Sequence, residues 1–123
     1  MLVDPEQSRA LVAKLRAKGH RGAWLAILAQ MLAIAAGKGT LVNHEERAWA
    51  SATFEGSRHH FMLEFEGIDA VALGETLIER LPDHEFAIPG HLVADATIVS
   101  VEHSLAGQPR MRVESEILLL HED

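Results

Sequence analysis

The chain has 123 residues, 48% hydrophobic and 24% charged, with no cysteine and a formal net charge of −7. This is the length of one domain with enough apolar residues for a core, and it excludes disulfides, thiolate nucleophiles and cysteine–zinc sites. Residues 1–39 carry six Lys/Arg against two Asp/Glu, and residues 40–123 carry five against sixteen. An acidic body repels phosphate backbones, so nucleic acid is not an expected partner.

The first predicted element is a helix over residues 5–18. Asp4 is a good N-cap, Pro5 suits the first turn, Gln7 completes a capping-box spacing and Gly19 ends it. Lys14, Arg16 and Lys18 then lie at the negative end of the helix dipole, which accounts for the basic cluster without a binding role.

The second predicted helix is the apolar run "AWLAILAQMLAIAA". It falls short of the roughly 20 residues a membrane span needs. The basic residues before it and the Ala33-Ile34-Ala35 tripeptide have the look of a secretory signal. Against that stand the length of the preceding segment, its Asp4 and Glu6, and its own helical pattern. The expectation is an internal core helix of a cytoplasmic protein. Trp24, Leu25, Ile27, Leu28, Met31, Leu32 and Ile34 fill one side and should meet a sheet. Ala26, Ala29, Ala33 and Ala36 fill the other with Gln30, leaving room for a close helix, either residues 5–18 or a second copy of the chain.

The stretch "GKGTLVNHEE" reads as a loop. It is not a phosphate loop: Leu32 stands where the first glycine belongs, and Gly39 where Ser or Thr must follow Lys38. Next comes a hairpin with a predicted turn at Glu55-Gly56. That register sets Ala48, Ala50 and Ala52 beside Leu63, Phe61 and His59 on a helix-covered face. On the other face it sets Trp49 opposite Met62, an apolar pair.

Residues 68–82 form the third helix, with Val71, Gly74, Leu77, Ile78 and Leu81 as its buried stripe and Pro82 as its stop. "HEFAI" is read as a short edge strand. A second hairpin follows, with a Leu105-Ala106-Gly107 loop and Gly107 in the left-handed region. Its register pairs Val93 with Leu119, Asp95 with Ile117 and Thr97 with Ser115 on one face, and Leu92 with Leu120 beside Leu118 on the other.

The expected fold is therefore α+β: a single domain, 1–123, with a helical segment 1–39 and a two-hairpin body 40–123. About four antiparallel strands carry the helices on one face in a two-layer sandwich, in the order α-α-β-β-α-β-β.

Eight histidines match no metal signature, and His59 and His60 point to opposite faces of a strand, so neither metal nor cofactor is expected. The one chemical candidate is a polar island of His59, Asp95, Thr97 and Ser115, in which Asp95 would orient His59 as a general base in a small-molecule pocket. No activated nucleophile goes with it. The weightier expectation is an interaction module that forms a homo-oligomer, a dimer, through Ala26, Ala29, Ala33, Trp49, Met62, Leu92, Leu118 and Leu120.

Overall fold

The computed structural model describes residues 22–122, and the helix expected over 5–18 lies outside the described residues. The chain is α+β, with helix α1 (Ala23–Ile34), strands β1 (Thr40–Ala50) and β2 (Glu55–Glu66), helix α2 (Ile68–Arg80) with a short 3-10 turn (Leu81–Asp83), and strands β3 (His91–Ser104) and β4 (Arg110–His121). The four strands form one antiparallel sheet in the order β1-β2-β4-β3. None of the described helices is long and apolar enough to cross a membrane.

The core follows from alternation in the two central strands. Phe61, Leu63 and Phe65 of β2 and Met111, Val113, Ile117 and Leu119 of β4 are buried on one side of the sheet. Ile27, Leu28 and Met31 of α1 and Val71 and Leu77 of α2 close over them. Gly74 is the contact point of α2: a Cβ there would lie 2.8 Å from the Phe65 ring and 2.5 Å from the Met111 methyl. The predicted stripe of this helix is thus its buried face, with Ile78 only partly covered.

Four local expectations are corrected. Strand β1 begins at Thr40, so "TLVNHEE" is strand and not loop. The first hairpin turns at Ser51–Phe54 instead of Glu55-Gly56. The Ser51 hydroxyl accepts a hydrogen bond from the Phe54 amide at 3.1 Å, and the Ser51 amide donates to the Phe54 carbonyl at 2.8 Å, which centres the turn on Ala52-Thr53, ahead of the expected pair. Gly56 lies inside β2, where a Cβ would strike the Leu119 carbonyl; close approach of β4, not positive φ, requires it.

"HEFAI" forms no strand, because its backbone is held by a side chain instead. The Gln30 amide donates to the Ala87 carbonyl at 2.8 Å, and its oxygen accepts from the Ala87 amide at 3.2 Å. The second hairpin contains two bulges, between Val93 and Asp95 and between Ile98 and Ser100. Val93 still faces Leu119 and Leu92 faces Leu120, and Gly107 has φ +71° as expected. Between the bulges, Ile98 faces Ser115 and Ala96 faces Ile117, so these two residues take the core positions assigned to Thr97 and Asp95.

Candidate functional site

That shift divides the expected polar island. Asp95 now pairs with Leu118 and Thr97 with Glu116, on the outer face of the sheet, where the Thr97 hydroxyl donates to Asp95 at 3.1 Å. His59 pairs with Ile117 and Ser115 with Phe61, on the helix-facing side. A single extra residue in a strand exchanges its faces, and the bulge around Ala94 does this to Asp95. Asp95 therefore does not orient His59. Ser115 Oγ is buried and has no hydrogen-bond partner among the described residues.

The partners that His59 does have come from β1. Residues two apart on a strand share a face, so His44 and Glu46 point the same way, and Glu46 lies directly across from His59. His44 Nε2 and His59 Nδ1 are hydrogen-bonded at 2.9 Å, and Ser57 Oγ and His59 Nε2 at 2.7 Å. A Glu46 carboxylate oxygen is 3.8 Å from His59 Nδ1.

Trp24 of α1 stacks on the His44 ring at 4.0 Å and 9°, and Phe61 lies 4.8 Å from the same ring. His59 is 2% exposed. Burial pushes both imidazoles down to about 4, and each is further lowered by neighbouring histidines: His59 acting on His44, and His121 and His91 acting on His59. Both rings are therefore neutral at neutral pH, with an unprotonated nitrogen each.

The ligand atoms of His44, Glu46 and His59 lie within 4.8 Å of one another, which makes these residues the group that could hold a metal ion among those described. Sequence reasoning missed this group because it placed His44 and Glu46 in a loop. The His-x-Glu spacing at 44–46 carries the signal once the segment is read as a strand.

The outer face is mostly a ladder of charges. Arg112 donates to Glu64 at 2.8 Å, and this bond holds the Glu64 carboxyl below its usual range. Arg58–Glu116, Arg110–Glu66 and His60–Glu114 pair at 3.5–3.7 Å. One end differs. Trp49 faces Gly56, Gly56 faces Leu120, and Leu120 faces Leu92, so a single row across all four strands is apolar. Leu118 is one row further along the same face. The turn Ser51–Phe54 rises beside Leu92 and Leu120 to form a cleft of about 500 Å³.

Met62 is not part of this end. It faces Asn43, six residues from Trp49 along β1, because the turn lies earlier than the sequence suggests. On α1, Ala29 and Ala33 are exposed and Ala26 is half-buried.

No family model and no curated protein matches the sequence. Among solved structures, a chain of the virion of a native gene transfer agent particle matches with a TM-score of 0.56 at 11% identity, over 80% of this chain and 91% of that one. The type 4 fimbrial biogenesis protein PilO from Pseudomonas aeruginosa matches with a TM-score of 0.48 at 13% identity, over 94% of this chain and 82% of its own. The likeness to the virion chain is one of fold.

Proposed function

We propose that this chain is a small interaction module that assembles with copies of itself, in the first instance as a dimer, through the apolar end of its outer sheet face. The observation that carries the reading is the row Trp49–Gly56–Leu120–Leu92 at the end of an otherwise charged face. Leu92 is 52% exposed, as is Phe54 on the adjoining turn. An apolar patch rimmed by charges has the anatomy of a protein contact.

All three edge irregularities, at Val42 in β1 and at Ala94 and Val99 in β3, interrupt the outer strands. Bulged edges discourage strand addition, which favours contact through the face. Ala29 and Ala33 on α1 are proposed as a second contact, where small side chains let a helix come close. The fold neighbour that is part of a virion particle supports an assembly role at the level of fold only. The cytoplasm is the proposed compartment, since a chain without cysteine needs no oxidising surroundings.

Native mass spectrometry with light scattering tests the reading. The full chain should run as a dimer, and Leu92→Glu should run as a monomer with an unchanged far-UV spectrum, because the side chain is half exposed. A wild-type chain that stays monomeric at every concentration ends the proposal.

A further inference from the structure

Independently of self-association, we propose that His44, Glu46 and His59 form a binding site for one divalent transition ion of the zinc class. The ligand set is two imidazoles and a carboxylate, which suits zinc, cobalt and nickel better than magnesium or calcium. Such a set with three protein ligands leaves a fourth position for water or an outside ligand.

The ligand atoms lie within 4.8 Å of one another, so a tilt of the two rings and a swing of the Glu46 side chain bring them round one ion. Bonds of roughly 2.0–2.1 Å in a tetrahedron place ligand atoms roughly 3.3 Å apart. Here His44 Nε2 is 2.9 Å from His59 Nδ1, and Glu46 is 3.8 Å from the same atom. The imidazoles would part by a few tenths of an ångström, and the Glu46 side chain, half exposed at the strand edge, is free to close in.

The surroundings are those a ligand histidine uses. With a metal on Nδ1, the remaining proton of His59 sits on Nε2, which donates to Ser57 Oγ at 2.7 Å. That bond fixes both the tautomer and the ring plane. The His44 ring is fixed by its stack on Trp24. Two facing nitrogens of neutral rings at hydrogen-bond distance share one proton; when an ion takes its place, that proton passes to the outer nitrogen of the ring that carried it, so both rings ligate as neutral imidazoles.

Calorimetric titration of the chelator-treated full chain with Zn²⁺, repeated with Co²⁺ under visible absorption, tests the site. One equivalent should bind, and Co²⁺ should give the intense bands of a tetrahedral complex. His44→Gln and Glu46→Gln should each weaken binding at least about tenfold and abolish those bands. Glu46 is exposed, so that variant keeps the test valid should His44→Gln fold poorly. His91→Gln and His121→Gln, which alter the other close pair of histidine rings, should bind as the wild type does. Absence of stoichiometric uptake, or uptake that survives Glu46→Gln and His44→Gln, or uptake lost only in the His91 and His121 variants, overturns the proposal and leaves the cluster as a buried hydrogen-bond pair.

Discussion

His59 and His60 are adjacent on β2, yet they belong to two differently built regions. His59 faces the helices, is almost wholly buried, and has a partner at each ring nitrogen. His60 faces outward into the charge ladder, 3.6 Å from Glu114. On the helix side, shape decides which residue fits: Phe61, Phe65, Ile27 and Met31 fill the space, and Gly74 is a glycine because Phe65 occupies the room a Cβ needs. On the outer side, water reaches most groups, and charge sign matters more than shape. The row ending in Leu92 is the exception, since it combines outer position with apolar side chains. Substitutions should therefore cost far more on the helix side, and the site candidates should respond to different perturbations.

The largest effect is expected from Phe61→Ala. Phe61 is fully buried and touches the ring cluster of Trp24, His44 and His59. Its removal should cost about 3–5 kcal/mol, read as a fall in the denaturation midpoint, and a loss under about 1 kcal/mol would show that the helix side is not tightly packed. Gly56→Ala should follow at about 3 kcal/mol, at the top of the usual overpacking range. The added carbon would strike the Leu119 carbonyl, and backbone on backbone leaves no flexible atom to yield. A neutral Gly56→Ala would mean that β2 and β4 are less closely held than their register implies.

The difference between the two sides also explains what could be read from the sequence. Alternation in β2 and β4 and the stripe of α2 were legible because both faces of those elements differ sharply in polarity. The edge strands were not. Bulges in β3 carry no sequence mark of their own, and Ala94 and Val99 look like ordinary strand residues, so plain alternation puts Asp95 on the helix-facing side that Ala96 in fact occupies. Gly56 was legible as a required glycine but not for its reason: a close strand and a turn both demand glycine. Gln30, placed by its spacing on the alanine side of the helix, clamps Ala87, a contact that local pattern does not contain. The metal-site candidate needed one long-range fact, the pairing of Glu46 with His59, that local pattern does not contain.

A smaller effect, of different character, is expected from acid. In the folded chain His44 and His59 titrate at about 4, against 6.5 for an ordinary histidine. Between those values the unfolded chain binds protons that the folded chain does not. The stability tied to this pair is complete above about pH 6.5 and is lost as the pH falls toward 4. Allowing for the partial exposure of His44 to water, the loss should reach about 2 kcal/mol over that window, roughly a 10 °C fall in Tm for a domain of this size. Thermal melts in chelator across the window measure it. His44→Phe keeps a ring against Trp24 and removes one titrating group, so its fall should be about half as steep. A Tm that stays flat from neutral pH to 5 would refute the buried-pair account.

The smallest effect should come from the outer ladder, and it sharpens the comparison most directly. Glu116→Gln removes one arm of the Arg58–Glu116 pair, whose atoms are 3.7 Å apart and whose side chains are more than a third exposed. Exposed pairs at that distance contribute about 0.2–1 kcal/mol and are screened by salt. The substitution should therefore shift Tm by only a few degrees, and the shift should shrink further when salt is raised. Glu116 also faces Thr97 across the β3–β4 ladder, beside the bulge that turned Asp95 outward. If Glu116→Gln were as damaging as Phe61→Ala, the outer face would have to be covered in solution by something that excludes water. Leu92→Glu, placed at the apolar end of the same face, would then show whether that cover is a second copy of the chain.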